Sequence, residues 1–307
     1  MTVVRAGTRR IEISKEDKVL FPQDGISKGD LVTYYREIAA TMLPYVKGRP
    51  VMMQRFPDGI GRPGFYQKDA GRELPKWIHR VTVKKVGGQL IHVVCDDAAS
   101  LVYLANLACI TPHVWLSRAD KLELPDQIIF DLDPSHDDFS IVRKAARDLR
   151  ALLEELGLPA FVKTTGSRGL HVVIPLVRRA TFETARAFAR GVAQVLVLRD
   201  PNRVTIEARK EKRKGRLLID VMRNSYAQTA VAAYAVRARP GAPVSTPVTW
   251  EEVGSSRLTP QRYTLRNVFR LLAQRPDPWA GMFREAHSLT EPARRLEQLS
   301  NRTTREG

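Results

Sequence analysis

The segment Ile128-Ile129-Phe130-Asp131-Leu132-Asp133-Pro134 carries the clearest chemical signal in the chain. Strand alternation puts Asp131 and Asp133 on one face and turns Phe130 and Leu132 to the other. Two carboxylates side by side repel each other, and a cation normally makes the arrangement tolerable. Oxygen ligands from aspartates favour Mg²⁺ or Mn²⁺ over zinc. Pro134 ends the strand at once and sets the pair at its rim. A third carboxylate, Asp220, lies inside the apolar run Leu217-Leu218-Ile219-Asp220-Val221, where an unpaired charge is costly. If the two strands are neighbours, Asp131, Asp133 and Asp220 form a site for two ions about 4 Å apart. One ion would activate a primer 3′-hydroxyl and the other would hold a triphosphate and its leaving pyrophosphate. Such a site needs positioning and positive charge more than covalent chemistry. The pattern points to a metal-dependent nucleotidyltransferase. For the Asp131 and Asp133 pair alone, the competing reading is a solvated loop.

Positive charge is at hand. Thr165-Gly166-Ser167-Arg168-Gly169-Leu170-His171 joins two strand-like runs through a glycine turn. Its backbone N–H groups and the Ser167 hydroxyl suit a phosphate, with Arg168 beside them. His171 opens the next strand as a donor to a phosphate oxygen or a sugar. The turn matches neither a P-loop nor a dinucleotide fingerprint, and a lone strand histidine is equally a satisfied core residue. The basic run Arg209-Lys210-Glu211-Lys212-Arg213-Lys214 precedes Asp220. It reads either as a solvated turn or, through Arg213, as a contact to nucleotide or duplex. Arg223, Arg237 and Arg239 follow the third carboxylate, and guanidinium forks match the oxygens of a triphosphate.

The elements that must position these groups follow from periodicity. In the first part of the chain a helix is expected over 30–43, capped by Ser27 with Asp30 three residues on. Leu31, Tyr34, Tyr35, Ile38, Met42 and Leu43 form its core face. Strands are expected at 51–55 and 64–68, a hairpin at 81–85 and 90–94 through Gly87-Gly88, and a buried helix over 98–109. From about 120 to 240 strand and helix alternate. Strands fall at 127–132, 161–165 and 170–176, and helices at 141–156 and 182–198. A hairpin is expected from 204–208 and 217–221 around the basic turn. The result is a mixed sheet with helices on one face. A Pro-rich strap follows residue 236, then a helix over 260–272, and a polar tail beyond 289 with few core anchors. No internal repeat is present.

Composition sets the class. The 307 residues suffice for one large domain or two packed lobes, and 43% hydrophobic with 27% charged residues is globular. Fifty Lys and Arg against thirty-three Asp and Glu give a formal +17, which draws a polyanion inward and makes nucleic acid the natural partner. No apolar run is long enough to span a bilayer and no apolar signal segment follows Met1. The expected location is therefore cytoplasmic, with no membrane partner. Cys95 and Cys109 sit in apolar stretches without zinc spacing and read as buried thiols.

Taken together, five segments resemble the polymerase domain of bacterial ligase D, in the end-joining branch of the archaeo-eukaryotic primase superfamily. They are Asp17-Lys18-Val19-Leu20-Phe21-Pro22, Arg62-Pro63-Gly64-Phe65-Tyr66-Gln67-Lys68, Phe130-Asp131-Leu132-Asp133-Pro134, the glycine turn through His171, and Asp220 with Arg223-Asn224. The resemblance covers nearly everything from residue 10 to 255. It implies a two-lobed α/β primase-polymerase fold whose catalytic lobe is an RRM-like mixed sheet. It also implies two Mn²⁺ (or Mg²⁺) ions on Asp131, Asp133 and Asp220, NTP or dNTP substrates, and a preference for ribonucleotides. Ser167 and His171 then contact nucleotide phosphates, and His113 falls near the primer terminus or triphosphate. Lys18 and Lys28 match the lysines that grip a downstream 5′-phosphate. Phe65 and Tyr66 match an aromatic pair that stacks on the template, with Lys68 among the DNA contacts. Relatives often have two phenylalanines there; the ring platform matters more than the Tyr66 hydroxyl.

The expected division is 1–115 for an N-terminal lobe with 5′-phosphate and template contacts, 116–255 for the catalytic lobe, and 256–307 for a helical extension with a polar tail. No Lys-x-Asp-Gly ligase motif is present, and the start and the extension after 255 favour a stand-alone, nucleoid-associated bacterial enzyme. Its expected partners are DNA with a gap or break bearing a 5′-phosphate, a separate DNA ligase and a Ku-type end-binding protein. A primase making short primers de novo shares the triad. A non-catalytic basic nucleic-acid-binding module would require the carboxylates to be incidental.

Overall fold

The computed structural model describes residues 2–71, 74–85 and 87–306, with side chains to residue 301 in the last helix. In chain order, β1 (Thr2–Ala6), β2 (Arg9–Ile13), β3 (Val19–Phe21) and β4 (Ile26–Ser27) precede α1 (Lys28–Val46). β5 (Arg49–Arg55), β6 (Phe65–Gln67), β7 (Arg80–Lys85) and β8 (Gly88–Cys95) lead to α2 (Ala98–Asn106) and β9 (Cys109–Trp115). Then come β10 (Gln127–Asp133), α3 (Phe139–Glu155), β11 (Phe161–Thr164), β12 (Leu170–Pro175), α4 (Phe182–Arg199), β13 (Val204–Thr205) and β14 (Leu217–Asp220). β15 (Thr229–Val231), β16 (Pro247–Val248), α5 (Trp250–Gly254), α6 (Val268–Gln274) and α7 (Thr290–Glu306) follow. No helix of the described residues is long and apolar enough to cross a membrane.

Two compact units result. The first gathers Met1–Asp120, Thr229–Thr246 and Tyr263–Arg275; the second gathers Lys121–Gln228, Pro247–Arg262 and Pro276–Gly307. These units are discontinuous in sequence, unlike the contiguous division at 115 and 255. The cause is strand pairing: β15 adds to β9 in the first unit, and β16 adds to β11 in the second.

In the first unit a sheet of order β15-β9-β5-β8-β7, with β6 also on β5, packs with α1 and α2. Ser27 caps α1 as expected, in a full capping box with Asp30. Leu31, Tyr34, Tyr35, Ile38 and Met42 are buried, and the two tyrosine hydroxyls donate to the carbonyls of Tyr234 and Ile110. The helix expected over 98–109 stops at Asn106. Ala108 turns left-handed (φ 56°) and Cys109 begins β9. A buried helix running straight into a buried strand leaves no break in hydrophobicity for periodicity to detect. Both thiols are buried and free. The helix expected over 260–272 is α6, shorter and later, with Phe269 against the Tyr34 ring.

In the second unit the sheet order is β13-β14-β10-β12-β11-β16, with β13 and β14 parallel and the other pairs antiparallel. Buried Phe130 and Leu132 point to the face covered by α3 and α4, as the alternation requires. Two expectations fail here. The segments around 204 and 217 do not form a hairpin; they pair in parallel, joined by a crossover that contains a 3₁₀ turn (Lys210–Lys212). Arg213 folds that crossover back on itself by donating to the carbonyls of Glu207 and Ala208. The polar tail beyond 289 is not frayed but forms α7. Leu296 is buried against Gly191 of α4, where an added side chain would displace the leucine methyl.

Candidate active site

β10 is the middle of the site. In register, Asp131 lies opposite Asp220 on β14 and opposite His171 on β12, and His171 lies opposite Lys163 on β11. Lys163, His171, Asp131 and Asp220 therefore form one transverse polar row across four strands. Same-face neighbours in such a row approach to about 5 Å between Cβ atoms, so their charges interact strongly. Asp133, two residues along β10, shares the face.

Local structure fixes each member. Gly169 must be glycine, since a Cβ there would overlap the Leu132 carbonyl oxygen. This lets β12 close on β10 and bring His171 to Asp131. Gly166 adopts φ 63° in the same turn. Asn224, fully buried, holds the far side. Its side-chain oxygen accepts from Ile129 N–H at 2.8 Å, and its amide donates to Ile129 O at 2.7 Å and Val221 O at 3.0 Å. The side chain thus stands in for a peptide group and continues the edge of β10 where β14 ends. Asp220 itself accepts from Met222 N–H at 2.7 Å.

Burial drives the His171 ring down to about 4, helped by the charge of Lys163. At neutral pH it is an uncharged imidazole with Nε2 3.5 Å from Asp131 Oδ1. Its Nδ1 is buried without a hydrogen-bond partner; with Nε2–H facing the Asp131 carboxylate, Nδ1 is an acceptor that a hydroxyl donor would satisfy. Burial pushes Asp131 upward, but His171, Arg223 and Lys163 outweigh it, and its carboxyl lies below the usual range. Asp220 goes the other way. Burial raises it first, and the negative charges of Asp131 and Asp133 raise it further. Asp131 is compensated by neighbouring cations and Asp220 less so, and the two together supply carboxylate oxygens of the kind a hard divalent cation takes.

Asp133 is charge-balanced differently, by Arg168 at 2.9 Å and Arg213 at 3.1 Å. Among the described residues no three His, Cys, Asp or Glu side chains are grouped closely enough, as they stand, to enclose an ion. A cation would therefore take Asp133 in exchange for two close guanidiniums and Asp131 in exchange for the looser Arg223 contact, while Asp220 makes no ion pair among the described residues.

The remaining sequence candidates fall into two sets. Ser167, Arg168, Arg213 and Arg223 lie in the second unit with the carboxylates. Arg223 Nε is 3.8 Å from Asp131, and Arg213 is buried rather than spread into solvent. The glycine turn is a poorer cradle than its sequence suggests. The N–H groups of Ser167 and Gly169 both donate inward to Thr165 Oγ1, leaving the Ser167 hydroxyl and Arg168 as its outward groups.

His113, Arg237, Arg239, Lys18, Lys28, Phe65, Tyr66 and Lys68 belong to the first unit. Tyr66 stacks edge-on to His113 at 5.8 Å, and with Arg237 and Arg239 it lines a cavity of about 560 Å³. Phe65 and Tyr66 are exposed, as a stacking platform must be. Lys28, only 5% exposed, donates to Ser14 Oγ and the Asn106 carbonyl. Burial lowers its ammonium, and the charges of Lys18 and Lys15 lower it further. Lys18 pairs with Asp58 at 2.6 Å. The N-terminus of α1 is not an open anion site: the N–H groups of Lys28, Gly29 and Asp30 go to Lys18 O, Glu16 O and Ser27 Oγ.

Sequence reasoning missed Lys163 and the role of Asn224. A lysine within the apolar run Phe161–Thr164 was the available signal for the first, and a polar residue close behind Asp220 for the second.

The family model described as LigD, primase-polymerase domain, matches residues 27–279. The multifunctional non-homologous end joining protein LigD of Mycolicibacterium smegmatis is 32% identical over 257 residues, 83% of this chain and 34% of that protein. The Pseudomonas aeruginosa protein of the same description is 34% identical over 279 residues, 90% of this chain and 33% of its own length. The chain thus spans about a third of these relatives. Among solved structures, the polymerase domain from Mycobacterium tuberculosis ligase D in complex with DNA superposes with a TM-score of 0.85 at 30% identity. The match covers 90% of this chain and 99% of that one.

Proposed function

The chain belongs to the LigD primase-polymerase domain family, and on that premise we propose that it is a metal-dependent nucleotidyltransferase extending primer 3′ ends at DNA gaps or double-strand breaks, with ribonucleotides preferred. The observation that carries this reading is the opposition of Asp131 and Asp220 across β10 and β14, with His171 on the other side of Asp131.

Asp131 and Asp220, joined by Asp133, are the residues that would hold two Mn²⁺ or Mg²⁺ ions. Bound there, the ions supply acidity to a primer hydroxyl and countercharge to a triphosphate. The protein's own groups do the rest. Asp131 stays ionised at neutral pH and presents a fixed anionic edge, because Arg223 and Lys163 stabilise its charge. Neutral His171 holds an unpartnered ring nitrogen as an acceptor for a sugar hydroxyl. Ser167, Arg168 and Arg223 meet triphosphate oxygens, and guanidinium charge in a half-buried setting stabilises negative charge as it shifts to the leaving group. Within the first unit, Arg237 and Arg239 line their own cavity beside Tyr66 and carry guanidinium forks of the kind that match phosphate oxygens.

The relatives' descriptions name end joining, and the M. tuberculosis domain was solved with DNA. The substrate proposed for this chain is accordingly DNA with a gap or break and a 5′-phosphate. Lys28 and Lys18 bind that phosphate, and Phe65, Tyr66 and Lys68 contact the strand. A Ku-type protein would present the end, and a DNA ligase activity would seal it.

Single-nucleotide extension on a gapped duplex tests the reading, with ribo- and deoxynucleotides compared in Mn²⁺ and Mg²⁺. Wild type should extend and favour ribonucleotides, and Asp133→Ala should not extend. Normal extension by Asp133→Ala in Mn²⁺ removes the metal assignment, and equal efficiency on both sugars removes the preference.

A further inference from the structure

The second unit carries a cavity of about 330 Å³ at the exposed end of β14, lined by Arg186, Arg190, Arg213, Asp220 and Met222 among apolar walls. Arg186 and Arg190 stand one turn apart on α4, so both guanidiniums rise from one helix face. Several other basic groups on the helices of this unit pair with carboxylates: Lys144 with Asp148, Arg150 with Glu154 and Arg199 with Glu155. Arg190 has no such partner among the described residues. Arg186 donates only to the Met222 sulfur, at 3.1 Å, which is a weak acceptor. Two like charges at this spacing destabilise a helix slightly, and an anion between them reverses the sign.

Met222 adds a second, independent mark. It is 52% exposed, one of few large apolar side chains left so in this unit. It follows Asp220 by two residues and is held by the Arg186 contact. Ile206, Leu218, Ile219 and Val221 continue that apolar surface into the cavity. Paired guanidiniums beside an apolar shelf match a ligand that alternates phosphate with sugar and base. They match a free pyrophosphate poorly, since it has no apolar part to place on the shelf.

We infer that Arg186, Arg190 and Met222 form a binding site for the nucleic-acid strand whose 3′ end lies at Asp220, the arginines taking backbone phosphates and Met222 packing on a sugar or base. That the strand is the primer rests on the proposed function; that a phosphate backbone binds here does not. The site adjoins the catalytic carboxylates, since Asp220 and Arg213 also line the cavity, but Arg186, Arg190 and Met222 are not among the groups assigned to the triphosphate or the 5′-phosphate. Its contribution is affinity for the strand.

The test is binding of a fluorescent primed template, in chelator so that catalysis plays no part, with long and with truncated primer strands. The double variant Arg186→Gln/Arg190→Gln should bind the long-primer duplex several-fold more weakly. The slope of log affinity against log salt should fall by roughly 0.7–0.9 per lost phosphate contact. With the primer cut back from the site the two proteins should bind alike. Arg190→Glu, at an exposed position, serves as a second variant, and equal melting temperatures establish that both variants fold. Unchanged affinity for the long primer overturns the inference. So does equal weakening on long and truncated primers, which marks diffuse charge. So does an effect confined to inhibition by inorganic pyrophosphate, which marks a product site. If wild type fails to extend any primer yet shows the arginine-dependent binding, the nucleotidyltransferase reading falls and this site stands.

Discussion

Asp131 and Asp220 stand directly opposite each other in the antiparallel register of β10 and β14. Like charges so placed on one sheet face work against folding. The arrangement therefore makes sense as a site and poor sense as scaffold.

Asp220→Asn should separate the two roles. The amide keeps the bond from Met222 N–H and removes one charge of the pair, so the metal-free protein should gain up to about 1 kcal/mol. Extension should be lost, together with any Mn²⁺-dependent rise in melting temperature. Thermal melts with chelator and with Mn²⁺ check both; a destabilised metal-free variant would mean the carboxylates are not in conflict.

Asn224→Asp keeps the oxygen that accepts from Ile129 N–H but turns two carbonyls, of Ile129 and Val221, toward a carboxylate. Losing buried donors in this way costs about 1–3 kcal/mol. Because Asn224 pins the segment after Asp220 to β10, activity should fall further than the stability loss alone explains, at temperatures where the variant is still folded. Denaturant melts paired with extension rates measure this.

Lys28→Ala should lower affinity for gapped DNA bearing a 5′-phosphate and leave affinity for the 5′-hydroxyl version unchanged. Lys28 is one of three lysines, with Lys15 and Lys18, whose charges already strain each other, and a phosphate relieves all three. The α1 N–H groups are spent elsewhere, so the ammonium groups alone carry the discrimination. Equal binding of both ends by wild type would show that no pocket exists.

His92 lies buried beside the Trp115 ring with its Nδ1 near Val51 O, and burial lowers its pKa below the ordinary histidine value. The unfolded chain takes up this proton near pH 6.5 while the folded protein resists it. Stability is therefore fully present above about pH 6.5 and falls as pH drops from there toward the depressed folded value, by at most about 1.4 kcal/mol per pH unit. His92→Gln should flatten that part of the profile, measured by urea midpoints between pH 5 and 8.

The sequence alone determined which face of β10 bears carboxylates, since a period of two admits no other arrangement once Phe130 and Leu132 seek the core. For the same kind of local reason it determined the start of α1, where the Ser27 and Asp30 capping box is complete within four consecutive residues. The glycine turn before His171 was legible, but its conformation was not: Thr165 Oγ1 takes two of its N–H groups, those of Ser167 and Gly169.

Tertiary structure decided which strands are neighbours. Nothing local says that Asp220 faces Asp131, that Lys163 completes their row, or that 204 and 217 run parallel. These depend on a crossover folded back by Arg213 and on an overlap that only Gly169 avoids. Periodicity likewise misread the end of α2, because helix and strand there are equally buried, and the tail after 289, where Leu296 of α7, buried against α4, helps to anchor a helix. Strand phase is a property of consecutive residues. Strand pairing and anchoring are properties of residues far apart in sequence, and only the packed chain brings those together.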